Sequence, residues 1–392
     1  MKAIFWVSMG IVLFTYLGYV SYLWLRKRFS EKPVSKHTGY EPTVSIVLVV
    51  HNEEELLPGK LHNLQSLAYS SSKLEIIVAS DASTDRTESI IETAGMSDPR
   101  VRLVRCPVHR GKAAALREAI GAARNEVILF TDARQMIEPV ALREIAANFA
   151  DVSIGCVSGE LMLRNGAGGA CTALSTYWRF EKTVRAFEAS VGSTVGATGA
   201  LYAVRRASVV LPPAGTLLDD VYIPVHVARQ GLRVIFEPAA RAWDGVTCQR
   251  NELRRKVRTL AGNYQLLKLA PWLLTEANPV RFGFICHKLC RLLVPFLLLA
   301  AFLANLALLD ERFYVVCLLA QTCFYLAAIV GLFFPGRSVP RICGAASAFV
   351  LLNTAAFLAP FEYLRSRKEP NRLWQAPPLS SRPAEVTESS GA

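Results

Sequence analysis

Residues 44–50 read VSIVLVV, a nearly continuous apolar run that ends in the polar triplet HNE at residues 51–53. Such runs are typical of strands that are buried on both faces of a parallel sheet. Three further runs have the same character, Leu74–Ala79, Val101–Val104 and Val127–Thr131. Helix candidates separate the runs, near Glu53–Leu67, Arg86–Ala94, Lys112–Ala123 and Pro139–Phe149. This alternation predicts an α/β domain whose mostly parallel sheet is covered by helices on both faces.

The N-terminal segment Ala3–Leu25 is almost uncharged and long enough to cross a bilayer. A cleaved signal peptide is the alternative, but the apolar run is too long for one and no small-residue cleavage site follows it. The run ends in Arg26, Lys27 and Arg28. Because positive residues flank the cytoplasmic ends of membrane spans, we expect the following domain in the cytoplasm.

Three apolar runs close to bilayer-spanning length follow the domain, near Leu292–Leu309, Phe313–Phe334 and Ile342–Phe361. One span before the domain and three after it would place the basic tail, with Arg365, outside the cell. The positive-inside rule would place that tail inside. Either one run is re-entrant or interfacial, or the rule fails at this end.

The predicted organisation is a transmembrane helix at 1–25, a linker at 26–43, a cytoplasmic catalytic domain at 44–265, interfacial helices at 266–290, transmembrane helices at 291–364 and a disordered tail at 365–392. We therefore expect a multi-pass protein of the inner or plasma membrane. The net charge is +12. Since the basic residues gather beside apolar runs and no nucleic-acid-binding module is recognised, lipid headgroups and substrate phosphates explain this charge better than nucleic acid.

Polar residues follow the first two strands, at the sheet edge where α/β proteins bind ligands. His51 and Asn52 fall in the first turn, and Glu53 is expected to open the next helix. Helix capping alone would also account for polar and acidic residues at these positions. Asp81 ends the second strand, whereas Thr84 or Asp85 would serve as the cap of the helix at Arg86. We therefore expect Asp81 to accept hydrogen bonds from a ribose or a base.

Charged residues also follow the third and fourth strands. Lys112 opens a helix, where a cation opposes the helix dipole, so it is either a solvated lysine or a ligand of an anion. Asp132 ends a buried strand, which is costly unless the carboxylate is paired or bound to a ligand such as a divalent cation. Arg134 would pair with Asp132 or contact phosphate.

Two further motifs lie later in the chain. Asp219 and Asp220 open a helical stretch and are either capping residues or the source of a general base. The basic cluster Arg254–Arg258 is suited to lipid headgroups and equally to a diphosphate.

In this order, the motifs resemble those of the family 2 inverting glycosyltransferases, whose catalytic domain has a Rossmann-like GT-A fold. The chain looks most similar to the membrane-integrated branch that contains cellulose, hyaluronan and poly-N-acetylglucosamine synthases, and the resemblance covers roughly residues 44–262. It implies that His51, Asn52, Glu53 and Asp81 bind the nucleotide of a nucleotide-sugar donor, with UDP as the expected nucleotide. It also implies that Asp132 holds Mg²⁺ or Mn²⁺ together with the donor diphosphate.

The same resemblance implies roles for the later motifs. Asp220 matches the proposed general base, and Asp219 stands where the family usually has Glu. Gly199, within Thr198–Ala200, matches a segment that lines the donor and acceptor site. Three basic residues lie where the synthases carry a QxxRW motif that binds diphosphate and acceptor: Arg255, Lys256 and Arg258.

Two departures from the pattern bear on function. Arg134 replaces the second carboxylate of the DxD motif, which weakens the expectation of tight metal binding. Thr259 replaces the Trp on which a polymer terminus stacks, which favours a single transfer to a lipid-linked or short saccharide acceptor over processive synthesis. The alternatives are a processive polysaccharide synthase with a translocation channel, or a catalytically silent scaffold among other polysaccharide-assembly proteins.

Overall fold

The computed structural model describes residues 1–163, 170–244, 249–333 and 340–366. Within these ranges the strands are β1 Val44–Val50, β2 Leu74–Asp81, β3 Val101–Cys106, β4 Val127–Thr131, β5 Met136–Ile137, β6 Ile154–Leu163, β7 Leu201–Arg205 and β8 Arg233–Asp244. They form one sheet with the spatial order β3-β2-β1-β4-β7-β6-β8-β5. The four predicted strands are therefore present and adjacent, although β2 and β3 each run two residues further than predicted.

The sheet is parallel in one half and mixed in the other. β1 pairs parallel with β2 and β4, and β2 pairs parallel with β3, as predicted. β7 is antiparallel to both β4 and β6, so the expected mostly parallel sheet describes only the first half. Because β7 starts opposite the end of β4, with Leu201 beside Thr131, it brings the residues that precede it to the carboxyl end of β4.

Both faces of β1 are buried, which explains its continuous apolar sequence. Ile46 and Leu48 point into one hydrophobic cluster with α-helices on that face, whereas Val47 points into a second cluster on the other face. All three side chains are buried. Since successive side chains of a strand point to opposite faces, a strand between two helical layers has no polar face.

Apart from short 3-10 segments, the described ranges contain eleven helices. In chain order they are α1 Lys2–Ser30, α2 Leu57–Gln65, α3 Thr87–Ser97, α4 Lys112–Ala122, α5 Ala141–Asn148, α6 Ala170–Val191, α7 Asp219–Arg229, α8 Gln249–Leu269, α9 Arg281–Leu306, α10 Arg312–Phe333 and α11 Arg341–Ser366. Four of them, α1, α9, α10 and α11, are long and apolar enough to cross a membrane. One such helix precedes the domain and three follow it, as predicted.

The helix α9 joins the membrane part to the domain without a break. The predicted change from interfacial to transmembrane helices at residues 290–291 falls inside α9, which starts at Arg281. Its first turns pack on the domain: Phe284 is fully buried in the cluster that contains Leu218 and Val221. An aromatic residue of the predicted interfacial segment 266–290, Phe284, therefore packs against the protein. The predicted disordered tail lies outside the described residues from residue 367 onward.

Candidate active site

The turn after β1 is tied to the loop after β2. Asn52 has a positive φ of 53°, and its side-chain oxygen accepts a hydrogen bond from the Thr84 backbone N–H at 2.8 Å. The Glu53 backbone N–H donates to the Thr87 hydroxyl at 2.9 Å. Glu53 therefore does not open the next helix, which begins only at Leu57. His51 lies beside the same edge, with its Nδ1 2.8 Å from the Asp81 carbonyl oxygen.

Asp81 shapes the loop that leads into α4. The side chain is only 2% exposed. Its two carboxylate oxygens accept hydrogen bonds from the backbone N–H groups of Arg110, at 3.0 Å, and Gly111, at 2.8 Å. His109 Nδ1 lies 2.9 Å from the same carboxylate. Asp81 is thus already bonded within the protein, and its contact with a ribose or base stays a prediction.

Lys112 connects two of the predicted acidic motifs. It is the first residue of α4, after Gly111, whose φ of 85° favours glycine. Its Nζ lies 2.7 Å from Asp132 Oδ1 and 3.8 Å from Asp219 Oδ2. Burial opposes charge on the ammonium, but the two carboxylates outweigh it and raise the pKa of Lys112. The anionic partners expected for this lysine are therefore provided by the protein itself.

Asp219 and Asp220 are the first two residues of α7. Asp219 is 4% exposed, and burial raises its pKa even though Lys112 opposes the shift. Burial, with the neighbouring charge of Asp219, also raises the pKa of Asp220, to about 6. A carboxylate with a pKa near 6 is ionised at neutral pH yet basic enough to accept a proton in a reaction. This favours the interpretation as a general base over simple helix capping.

Gly199 lies beside the side chain of Asp220, with little room between them. A Cβ atom added at Gly199 would lie 3.1 Å from Asp220 Oδ2. The backbone of the same segment is fixed as well, since the Ala197 N–H donates to the Asp220 carbonyl oxygen at 2.7 Å. The predicted Gly-containing segment thus forms one wall beside Asp220.

Replacing Gly199 by alanine should displace the Asp220 carboxylate. The added methyl is closer than ordinary van der Waals contact, so the carboxylate must move by a few tenths of an ångström. We expect kcat to fall about tenfold with little change in the donor KM, because small misplacements of a reacting group reduce rate more than binding. Steady-state kinetics with the donor varied measures both constants. A Gly192→Ala variant is the control, since a Cβ there meets no atom within 4 Å.

Arg134 does not pair with Asp132. Its guanidinium instead donates to Asp244 Oδ2 at 2.7 Å, a bond between residues that are 110 positions apart. Asp244 ends β8, is 1% exposed and also accepts a hydrogen bond from Gln135 at 3.1 Å. Asp244 was not among the predicted site residues. The signal that identified Asp81 and Asp132, an acidic residue at the end of a strand, also applies to it.

A second missed residue is Lys60, which lies in α2 and is fully buried. Its ammonium donates to the Thr131 hydroxyl at 2.9 Å and to the Gln135 carbonyl oxygen at 2.5 Å. Burial lowers the pKa of Lys60 to about 7. These bonds hold the chain on both sides of Asp132. No local signal distinguishes Lys60 from a surface lysine in the sequence.

The three basic residues of α8 have different surroundings. Arg255 lies 3.7 Å from Asp244 Oδ2, and the Lys256 ammonium lies 4.7 Å from the centre of the Trp178 ring. Burial lowers the pKa of Arg258, and Asp132 is the strongest charge that opposes the shift. Arg258 therefore lies close to Asp132, Asp219 and Asp220. Diphosphate binding by Arg255, Lys256 and Arg258 stays a prediction.

Asp81, Asp132, Asp219 and Asp220 lie around the start of α4. Lys112 bridges Asp132 and Asp219, and Asp220 is adjacent to Asp219 along α7. Asp81 binds the backbone immediately before Lys112. The ends of β2 and β4, the start of α4 and the start of α7 therefore meet at one edge of the sheet.

The family model "Glycosyl transferase family 2" matches residues 45–209, which include β1, β2, β4 and the Gly199 segment. The chain carries a family 2 glycosyltransferase domain. The predicted enzyme class is thus confirmed at the level of this domain. Asp219, Asp220 and the basic residues of α8 lie beyond the matched residues.

Curated relatives of this glycosyltransferase domain are glycosyltransferases of several kinds. The chain is 28% identical to the probable glycosyltransferase YdaM of Bacillus subtilis, over 52% of this chain and 50% of the relative. It is 24% identical to a poly-beta-1,6-N-acetyl-D-glucosamine synthase of Staphylococcus aureus, over 57% and 55%. It is 25% identical to the beta-monoglucosyldiacylglycerol synthase of Synechocystis, over 60% and 51%. The chain spans about half the length of the curated relatives it matches.

A solved structure confirms the predicted GT-A type of fold for the glycosyltransferase. The mannosyltransferase PcManGT from Pyrobaculum calidifontis, solved in complex with GDP-Man and Mn²⁺, matches 92% of this chain and 99% of its own chain. The TM-score is 0.69 and the sequence identity is 22%. The likeness includes the helices outside the sheet domain, because it covers nearly the whole chain.

Proposed function

We propose that the protein transfers a sugar from a nucleotide-sugar donor, UDP-linked in our prediction, to a lipid-linked or saccharide acceptor, with inversion at the anomeric carbon. The observation that carries the proposal is the position of Asp220, a carboxyl group whose pKa is raised to about 6, next to Asp219 and the bridge that Lys112 makes to Asp132. The relatives that make poly-N-acetylglucosamine and a glucolipid support a role in cell-surface or exopolysaccharide synthesis.

The chemistry is one displacement. Asp220 removes the proton of an acceptor hydroxyl as its oxygen attacks the anomeric carbon of the donor sugar. The bond from that carbon to the diphosphate oxygen breaks, and its electron pair leaves with the nucleoside diphosphate. Lys112 and Arg258, which lie among the acidic residues, reduce the negative charge at the leaving group.

The residues present fit a divalent cation that is shared with the donor. Among the described residues no group of three or more His, Cys, Asp or Glu side chains is arranged to hold a metal ion. Asp132 is 40% exposed, and Lys112 occupies only its Oδ1. Since Mg²⁺ is commonly bound through one or two carboxylates plus substrate phosphates, Asp132 would hold the ion together with the diphosphate. Mg²⁺ or Mn²⁺ would supply charge neutralisation at the leaving oxygen.

The activity should decline on acidification below about pH 6. Asp220 must be ionised to accept the proton, and its raised pKa means that it becomes protonated as the pH falls through that value. We expect kcat/KM to drop about tenfold per pH unit below the pKa. A pH–rate profile of the purified protein measures this decline, which forms the acid limb of the profile. A profile that stays flat down to pH 4.5, near the ordinary range of Asp, would contradict the role of Asp220.

We propose that the domain lies on the cytoplasmic face of the inner or plasma membrane. The support is the basic triplet Arg26, Lys27 and Arg28 in the last turns of α1, where the chain leaves the apolar part of the helix. Nucleotide sugars are then available to the site from the cytoplasm. Cysteine accessibility labelling at Arg86→Cys, an exposed position of the domain, in intact and permeabilised cells tests this orientation.

Processive polysaccharide synthesis is a second candidate, favoured by the similarity to a poly-beta-1,6-N-acetyl-D-glucosamine synthase. It differs from single transfer in product length. A long product ladder on a gel would support the synthase, and one added sugar would support single transfer, as the replacement of Trp by Thr259 suggests.

A nucleotide-release screen tests the proposed function. Purified protein is incubated with UDP-glucose, UDP-N-acetylglucosamine, UDP-galactose or GDP-mannose, with Mg²⁺ or Mn²⁺ and with or without EDTA. We expect release from one donor, dependent on the cation. Release that is equal in the parent protein and in Asp220→Asn, or absent with every donor and acceptor, would support the silent scaffold instead.

A further inference from the structure

A buried ion network joins α6 to α9. Its members are Arg185, Glu181, Glu188, His287 and Arg291. The two glutamates are 5% and 3% exposed, and His287 is 2% exposed. His287 lies between them, with Nδ1 2.9 Å from Glu188 Oε1 and Nε2 3.0 Å from Glu181 Oε1. Taking several charges out of water is costly even when they are paired, so this arrangement needs an explanation.

Glu181 is the centre of the network. Arg291 of α9 donates to its Oε2 at 2.6 Å, and Arg185, one turn further along α6, lies 3.4 Å from its Oε1. Burial alone would raise the pKa of Glu181, but His287 and Arg291 outweigh it and hold the pKa well below the usual range. Tyr19 of α1 donates to Glu188 at 2.9 Å. Two helices that are long enough to cross a membrane are therefore bonded to one helix of the catalytic domain.

Arg185 connects this network to the wall beside Asp220. Its guanidinium donates to the Thr198 hydroxyl at 2.5 Å, and the Thr198 N–H donates to the Ser158 hydroxyl at 2.9 Å. The next residue is Gly199, where a Cβ would lie 3.1 Å from Asp220 Oδ2. The chain of contacts thus runs from α9 through Glu181 and Arg185 to the segment that lies beside the Asp220 carboxylate.

We propose that Arg185 is a positioning residue for Asp220: it holds Thr198 and Gly199 against the base, and α9 holds Arg185 through Glu181. This inference rests on the proposed function, in which Asp220 is the base. Arg185 itself lies in the second half of α6, and its side chain is 16% exposed. Its planar guanidinium bonds an acid on one side and a hydroxyl on the other, and a lysine can reproduce these two bonds only in part.

Kinetics of Arg185→Gln and Arg185→Lys test the inference. We expect Arg185→Gln to lower kcat about 10- to 100-fold and to leave the donor KM within about twofold, because the base is displaced whereas the nucleotide contacts predicted at His51, Asn52 and Asp81 are not. Arg185→Lys should recover part of kcat. Arg179→Gln removes the same charge from an exposed position of the same helix and should behave like the parent. A parent-like kcat in Arg185→Gln overturns the inference.

A double-mutant cycle separates positioning from general support of the fold. Thr198→Val removes the hydroxyl that Arg185 binds, and Thr198→Ser keeps it. We expect Thr198→Val to lose kcat much as Arg185→Gln does, and the double variant to be no worse than the more affected single variant. Losses that multiply in the double variant would show that the two residues act independently.

Hydrogen–deuterium exchange gives a readout that needs no turnover. In Arg185→Gln, the backbone amides of Ala197, Thr198 and Leu201 should exchange faster, whereas those of β2 should not change. Unchanged exchange at residues 197–201 overturns the inference even if the variant is slow. If the parent protein releases no nucleotide from any donor, the proposed function fails, but the exchange result still decides whether Arg185 orders this segment.

Discussion

Exchanging Asp220 for asparagine is expected to lower kcat by about 10²- to 10⁴-fold, the range that general base catalysis commonly supplies. Asparagine has nearly the same shape, so the Ala197 N–H can still bond the residue 220 carbonyl and α7 can still start at Asp219. The donor KM should stay within about twofold, because the amide cannot accept the acceptor proton but disturbs no predicted donor contact. Single-turnover measurement with the identified donor gives the chemical rate.

Two controls make this result specific. Asp310→Asn carries the same change at an exposed position between α9 and α10 and should match the parent protein. The Asp220→Asn variant should also lose the limb of the pH profile near pH 6, since the titrating group is gone. A variant with the parent rate and the parent pH profile would show that another group is the base.

Replacing Lys112 by methionine should have the second-largest effect, a loss of about 10²- to 10³-fold in kcat. The methionine fills similar space but removes the cation between Asp132 and Asp219, so the negative charge of the departing diphosphate meets unneutralised carboxylates. Lys112 also lowers the pKa values of Asp219 and Asp220, so both should rise in the variant. The acid limb of the pH–rate profile should therefore move to higher pH.

The conservative variant Lys112→Arg separates charge from structure. It keeps the cation and should restore the position of the acid limb, although its different geometry should leave kcat below that of the parent. Thermal unfolding of all three proteins checks that the fold is intact. An acid limb in Lys112→Met at the same pH as in the parent would contradict the electrostatic link between Lys112 and Asp220.

The sequence was sufficient for the first half of the sheet and for the motifs at its edge. The apolar run VSIVLVV predicted both ends of β1 correctly. A strand between two helical layers needs apolar side chains on both faces, so the run marks its full length. Acidic residues at strand ends identified Asp81 and Asp132, since parallel strands place their carboxyl ends together. The antiparallel direction of β7 was not predicted, because its pairing with β4 depends on the long segment that returns the chain.

Partners that are distant along the chain could not be predicted from local pattern. Arg134 seemed free to pair with Asp132, two residues away, but the strand end places it against Asp244. His287 gives no local signal either, because it stands in a largely apolar segment. Its contacts with Glu181 and Glu188 join residues about 100 positions apart, and they exist only because α9 packs on the domain.

The packing of α9 on the domain also limits how the enzyme can be shortened. A water-soluble fragment that stops before Arg281 would lack Phe284, which is fully buried in the hydrophobic cluster that contains Leu218. It would also leave Glu181 and Glu188 without their partner His287. Arg185 would then be paired with a glutamate that α9 no longer holds in place. Crystallisation or assay of such a fragment would therefore examine a loosened site, and detergent or nanodisc preparations of the whole chain are the appropriate starting material.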